Sequence, residues 1–567
     1  MKILMINVVC GIRSTGRICA DLATSLEKEG HEVKIAYGRE YVPEQYRKYA
    51  VRIGSDMDVK FHGLKARLSD ADGLGSKLAT RRFLKWVDEF NPDIIHLHNL
   101  HGYYINVPLL FNYINTRNKR IIWTFHDMWP FTGHSGTCDM YNCEKWKLGC
   151  GNCPAYRSYP ASIVDRSATN YFWKKKLLTK VKDLTIVTPS NWLAGLVKQS
   201  YLGDKKVVTI HNGINLHLFK PLENDFKRVY GIEGKIILMA RQQGRNENKD
   251  LSVYYELAKK VDSRFKLVLV GLEKDQIKDL PYTILGIERT NSLKELTEIC
   301  KAADVFVDLA YADSKQNLDL FICSYKKICI RFRPEGNSNY SDKTNIKWFN
   351  NGDIDAVVEY LEKEYLAECE NDKLNIVDEI SSLEKEGIKS MGGNIDGYFA
   401  TRHKYDFTGK NVIIGVSAFW GKRKGLSTFV QLDRELSDDY MIVIVGLEKD
   451  NRIAFSNRVL VIPRTDSQEE LRRLYAAADA FVNPTVQDNF PTVNLEASAC
   501  NTPVITYDVG GSPENSYTPS CVIKKGDYSS LKKIIEEKTY EGALCITDRD
   551  DLGEAHMSNA YQKLYGI

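Results

Sequence analysis

From residue 1 to about residue 215, short apolar runs alternate with stretches whose apolar residues recur at helical spacing. That alternation predicts strands of a parallel sheet with helices between them. The run Met1 to Val9 reads as the first strand, and a helix is expected from Ile18 to Lys28, closed by Gly30-His31. Further strands are expected at Val33–Tyr37, Ile94–His98, Arg120–Asp127, Leu184–Thr188 and Val207–Ile210. The turn signal His211-Asn212-Gly213-Ile214-Asn215 ends this first domain. Gly11 and Gly16 lie in the first strand-to-helix turn, where backbone amides can approach an anion. A plain tight turn fits the same residues, and the spacing is not Gly-x-Gly-x-x-Gly.

The second half repeats itself. Gly271-Leu272-Glu273-Lys274-Asp275 recurs as Gly446-Leu447-Glu448-Lys449-Asp450, Arg289-Thr290 as Arg464-Thr465, Ala303-Asp304 as Ala478-Asp479, and Lys249 as Lys424. Each pair is 175 residues apart, for example 446 − 271 and 424 − 249. A constant register over so long a stretch predicts two α/β domains of one plan, about 222–390 and 398–550, with a closing helix within 551–567. The turn at Asn212 to Phe219 is echoed by Gly393 to Phe399, so each unit has its own entry turn.

Length and composition change this picture little. The 567 residues suit about three or four domains, and 43% hydrophobic with 27% charged residues is an ordinary globular composition. A net charge of +4 is too small to argue for nucleic acid. No apolar run approaches the roughly 20 residues of a membrane span, and the N-terminus reads as a strand rather than a signal peptide. The 13 cysteines suit a reducing, cytoplasmic setting. Four of them, Cys138, Cys143, Cys150 and Cys153, form a cluster that is either a structural zinc site stapling a long loop or a set of free or redox-active thiols. The basic run Trp173 to Lys182 suits either the surface of an anionic membrane or a plain solvated helix face. Asp56-Met57-Asp58 and Asp353-Ile354-Asp355 mimic a metal motif but read as surface.

Candidate chemistry gathers at strand ends, where open α/β sheets bind ligands. His126 follows one strand and is the preferred functional histidine; His96 and His98 fit a structural role equally well. Lys422, Arg423 and Lys424 lie beside Gly425 after another strand and suit a diphosphate. The stretch Asp488 to Glu496 places two carboxylates around a helix start near Pro491, with Asn489 as its expected cap. Amides there would form an anion site. The two copies differ at this point. Asp313 matches Asp488, but Phe321 replaces Glu496, Lys315-Gln316 replaces Phe490-Pro491, and Asp250 replaces Gly425. Phe cannot accept hydrogen bonds from hydroxyls, so the first copy reads as chemically retired.

These residues resemble the retaining GT-B glycosyltransferases of the family-four group, in the branch acting in bacterial capsular and exopolysaccharide synthesis. The resemblance rests on Thr124 to Asp127, Thr188-Pro189-Ser190, Asn212 to Asn215, Lys424-Gly425-Leu426, Asp488 to Glu496 and Thr502 to Ile505, with His126 to Pro154 carrying the branch. It implies two Rossmann-like domains facing across a cleft, an acceptor-side domain first and a donor-binding domain last, plus a degenerate copy between them. By position it implies catalytic roles for His126, Asp488 and Glu496. Glu496 would hold the donor ribose, Asp488 the sugar hydroxyls and Lys424 the phosphate. Lys422 or Arg423 would stand in for a family arginine whose place Phe419 occupies. Gly16 and the amides of Asn489 and Phe490 would approach phosphate, and the repeated Arg464 and Thr465 join the donor-binding set. The expected activity is sugar transfer, with retention and without a catalytic metal or cofactor, from a nucleotide-sugar to a polysaccharide or lipid-linked oligosaccharide. The alternatives are a non-catalytic sugar-nucleotide or glycan-binding scaffold subunit, and a sugar-nucleotide epimerase. The second copy is expected to dock on the first domain, with the retired copy as a spacer on its flank.

Overall fold

The computed structural model describes residues 1–117, 119–241, 251–309, 327–332, 346–367, 397–448, 453–546 and 548–567. Asp250, Asp313, Lys315, Gln316, Phe321 and the turn at 393–396 lie outside the described residues.

Three parallel sheets carry the chain. The first contains β1 (Lys2–Ile6), β2 (Glu32–Tyr37), β3 (Ala50–Arg52), β4 (Ile94–Leu97), β5 (Arg120–Thr124), β6 (Leu184–Thr188) and β7 (Lys206–Thr209), in the order β3-β2-β1-β4-β5-β6-β7. The second contains β8 (Ile236–Arg241), β9 (Phe265–Leu272), β10 (Ile284–Glu288), β11 (Val305–Asp308), β12 (Ile328–Phe332) and β13 (Ile346–Phe349), in the order β10-β9-β8-β11-β12-β13. The third contains β14 (Asn411–Val416), β15 (Tyr440–Val445), β16 (Val459–Ile462), β17 (Ala480–Asn483), β18 (Val504–Asp508) and β19 (Val522–Lys524), in the order β16-β15-β14-β17-β18-β19. Each is a Rossmann-like α/β domain with reversing strand order, which leaves a ligand crevice at the strand C-terminal ends.

The second and third sheets share one plan, and their first strands begin 175 residues apart, at Ile236 and Asn411. The matching detail extends to side chains. Asp304 accepts a hydrogen bond from the Ile237 amide and pairs with Lys227 at 2.8 Å. Asp479 accepts from the Val412 amide and pairs with Arg402 at 3.4 Å.

The helices that bear on the site and the domain contacts are α1 (Arg13–Lys28), α2 (Asp56–Ser69), α3 (Ser167–Leu178), α4 (Asn191–Lys198), α5 (Leu293–Ala302), α6 (Gln468–Ala477), α7 (Thr492–Ala499) and α8 (Glu554–Tyr565). α1 begins at Arg13 rather than at the expected Ile18, so Gly16 lies inside the helix. Its missing side chain lets α1 pack on Val9, whose Cγ2 would stand 2.9 Å from a Cβ there. α8 returns to the first domain: Met557, Tyr561 and Tyr565 are buried in one core with Ile3, Met5 and Cys19. Arg120 ties its end down by donating to the carbonyls of Leu564 and Tyr565.

The third domain faces the first, and the second docks at the opposite end of the third sheet. There Lys294 of α5 donates to the Ala478 carbonyl at 3.0 Å, and Glu295 accepts from the Gly409 amide at 3.1 Å. Ser292, which caps α5, also donates to Asp479. Asp479 stands at the N-terminal end of β17, so the second domain lies away from the crevice. The two mimic metal motifs are local: Ser55 and Asp58 form the capping box of α2, and Asp353 caps the helix Ile354–Glu359.

Candidate active site

β17 leads through Asp488 into α7, which presents Glu496 on its second turn. Pro491 is the residue before α7, and no side chain caps it. Asn489, the expected cap, instead donates from Nδ2 to the His126 carbonyl of the first domain at 2.5 Å. A buried chain of amides sets this loop. Asn483 donates to Asn494, Asn494 donates to Asn515, and Asn515 donates to the Pro491 carbonyl at 2.7 Å. Sequence reading missed these three asparagines, because isolated Asn residues carry no spacing signal.

Glu496 is 3% exposed. Its Oε2 accepts from the Tyr475 hydroxyl at 3.2 Å, and its Oε1 lies 3.6 Å from the Arg17 guanidinium of α1. Burial raises its pKa, while Arg17 and Tyr475 pull the other way. A carboxylate held this dry, with few local donors, is suited to bind ligand hydroxyls. Arg17 was also missed; it lies one residue past the glycine that drew attention.

Asp488 pairs with Lys424 Nζ at 2.5 Å, each about a fifth exposed at 18% and 19%. Lys424 ends a single turn, Lys422–Lys424, whose Lys422 and Arg423 are exposed. Gly425 follows at φ +73°, and a Cβ there would stand 2.3 Å from the Pro484 carbonyl oxygen. The Val486 amide donates to the Arg423 carbonyl at 2.9 Å, holding this cationic turn beside Asp488. Phe419 is exposed, and the Arg13 guanidinium of the first domain lies 5.3 Å from its ring centre. Arg464 and Thr465 follow β16 at the edge of the sheet.

Across the cleft, His126 follows β5. Its Nε2 lies 3.0 Å from His98 Nδ1 and the two rings stack. Burial lowers the His126 pKa to about 4, so the ring is neutral at ordinary pH. His96 is a satisfied structural histidine: its ring bonds Thr124 and the Tyr565 hydroxyl, and burial, then His126, lower its pKa to about 3. Asp127 pairs with His101 at 2.8 Å. The two domains also meet where Glu514 accepts from the Asn191 and Trp192 amides of α4, both at 2.7 Å. Phe490 stacks on His211 at 4.9 Å. Gly511 permits this approach, since a Cβ there would stand 2.7 Å from Ser190 Cβ. Contacts between the two domains thus run from His126 to Asn489, from His211 to Phe490 and from Arg17 to Glu496, and Asp488, next to Asn489, pairs with Lys424.

The four clustered cysteines are all free thiols. Cys138, Cys143, Cys150 and Cys153 share a neighbourhood, because the other three each raise the Cys138 pKa after burial does. Yet among the described residues no three His, Cys, Asp or Glu side chains converge to hold a metal ion. Cys150 Sγ instead accepts from the Gly133 amide at 3.2 Å, and the Cys138 thiol donates to the Ser135 carbonyl at 3.6 Å. The loop is held by other means: buried Lys174 donates to the Trp129 and Thr132 carbonyls, and His134 pairs with Asp70 at 2.6 Å. Lys174 therefore does not belong to a solvated basic face.

Residues 15–218 match the model of Glycosyltransferase Family 4, and residues 410–537 match that of Glycosyl transferases group 1. Two domains of the chain thus match glycosyltransferase family models. The chain is similar to the putative colanic acid biosynthesis glycosyl transferase WcaC of Escherichia coli K12, 26% identical over 38% of this chain and 55% of that one. It is also similar to the O-antigen chain mannosyltransferase RfbU of Salmonella typhimurium, 31% identical over 19% of this chain and 33% of that one. It thus spans a third to about half of the length of these relatives. Sucrose-phosphate synthase from Thermosynechococcus elongatus aligns over 100% of this chain and 98% of its own, at 12% identity and a TM-score of 0.44.

Proposed function

We propose that this glycosyltransferase moves a sugar from a nucleotide-sugar donor to a polysaccharide or lipid-linked oligosaccharide acceptor, with retention of configuration. The observation that carries this is one segment at the domain contact: Asp488 pairs with Lys424, Asn489 bonds the His126 carbonyl, and buried Glu496 lies 3.6 Å from Arg17 of the first domain. Glu496 accepts the donor's ribose hydroxyls and Asp488 those of the transferred sugar. Breaking the sugar–phosphate bond leaves negative charge on the diphosphate. Lys424, Lys422, Arg423 and the uncapped amides of α7 stabilise that charge, so the chemistry needs no metal. Neutral His126 lies near the anomeric carbon, and the departing phosphate takes the acceptor's proton on the same face. The second domain is a degenerate copy that buttresses the third from behind; the shared strand order and the Asp304/Asp479 equivalence support this.

The test is nucleotide release from a panel of UDP- and GDP-sugars. Glu496→Ala should cut kcat/KM by about 100-fold, as loss of charged hydrogen bonds to two hydroxyls implies, while Phe321→Ala changes little. Equal tolerance of the two substitutions would defeat the assignment.

Contact with an anionic membrane face also belongs to this reading. Among the described residues no helix is long and apolar enough to cross a membrane. On α2, however, Met57, Phe61, Leu64 and Leu68 are each more than half exposed, at 55%, 65%, 56% and 53%. Their spacing makes one apolar stripe, beside exposed Lys60, Lys65 and Arg67. Phe61→Asp should reduce co-sedimentation with vesicles containing anionic lipid; unchanged binding would remove this face from consideration.

A further inference from the structure

The loops after α2, β4 and β5 meet beside the cleft, and their polar groups are not all bonded. Asp72 is 6% exposed, yet neither carboxylate oxygen has a hydrogen-bond partner. His101 uses Nε2 on Asp127, while its buried Nδ1 has no partner. The ammonium of Lys174, the other buried charge here, is committed to two backbone carbonyls. Buried polar atoms are rarely left without a partner, which marks the two Asp72 oxygens as open to a ligand's donors. Aromatic rings surround them. His101 lies 5.8 Å from Trp129 and 6.0 Å from Tyr159, and Tyr159 lies 6.2 Å from Tyr103. Tyr103 is held at φ +70°, a left-handed conformation that a non-glycine residue adopts only where its surroundings impose it. Tyr159 is 55% exposed, so one wall is open to solvent.

We propose that Asp72, His101, Tyr103 and Tyr159 form the subsite that holds a sugar unit of the acceptor. A pyranose offers hydroxyl donors for the Asp72 oxygens and an apolar C–H face for the rings. An anionic group such as phosphate is disfavoured, because it would meet the Asp72 carboxylate. The position fits: His101 bonds Asp127, and the neighbouring His126 carbonyl receives Asn489 of the donor-binding domain. The subsite therefore opens within one residue of the contact between domains. This inference rests on the sugar-transfer reading above and supplies that reading's second substrate.

The test uses the full chain and saturation-transfer NMR with methyl glycosides of glucose, galactose, mannose and rhamnose as probes, and UDP and GDP as donor-site probes. At least one glycoside should bind the wild type. Asp72→Asn, which preserves shape, and Tyr159→Ala, at an exposed position, should each weaken that binding by about tenfold, with nucleotide affinity unchanged. Glycoside binding equal in wild type and both variants, or no glycoside binding by a protein that binds nucleotide, would overturn the subsite. Failure to bind either nucleotide would count against the transfer reading, whereas glycoside binding lost in both variants would still establish the subsite.

Discussion

At the scale of single residues, the site is built from ionisable groups held away from water. Glu496 is buried with only Tyr475 and a distant Arg17, and His126 is buried against His98. Three stacked or bonded histidines, His96, His98 and His126, have pKa values lowered first by burial, to about 3 for His96 and about 4 for His126. The consequence for stability has a definite sign. These rings stay neutral in the folded chain, whereas in the unfolded chain they take protons below about pH 6.5. Their contribution is therefore complete above pH 6.5 and is lost as pH falls toward 4. Their share of the unfolding free energy should drop by up to about 4 kcal/mol per pH unit in that window, offset in part by Asp21, whose pKa burial raises to about 7. Urea titrations between pH 7 and 4.5 check this, and His98→Gln should flatten the slope; an unchanged slope would show that this ring does not contribute.

At the scale of elements, α8 is the clearest dependency. Tyr565 is buried in the first domain's core and its hydroxyl bonds His96 Nδ1 at 2.7 Å. Tyr565→Ala should cost about 3–5 kcal/mol, and Tyr565→Phe about 1 kcal/mol, both read from denaturant midpoints. Neither dependency was legible in the sequence, where Glu554 to Tyr565 is only an amphipathic helix with no stated partner. The strands were legible, because parallel strands buried on both faces are continuous apolar runs, and so was the 175-residue register. The start of α1 was not, since Arg13-Ser14-Thr15-Gly16 reads as a turn until Val9 is seen packing on Gly16. Asn489 misled for a related reason. Its position suits a helix cap, but the first domain offers a carbonyl, and tertiary contact overrides the local preference. Asp72 and His101 were invisible for want of any motif linking residues brought together only by the folding of three loops.

At the scale of the whole molecule, the cleft is set by a handful of polar contacts. Glu514 joins the two halves by accepting from the first amides of α4, a favourable place for a carboxylate. Glu514→Ala should loosen closure: small-angle scattering would show a larger radius of gyration, and KM for donor should rise by about tenfold. Identical scattering in the variant would show that other contacts set the closure. The return of α8 has a further meaning for how the chain comes to be folded at all. The first sheet is finished by residue 209, but Met557, Tyr561 and Tyr565 complete its core. At roughly 5–20 residues per second on the ribosome, that sheet waits about 20 to 70 seconds with an apolar face uncovered. Both later domains can fold during this interval, so the cleft closes last. A chain cut short before α8 would therefore leave the ribosome with two folded bodies attached to an unfinished one, the form most readily seized by chaperones and proteases.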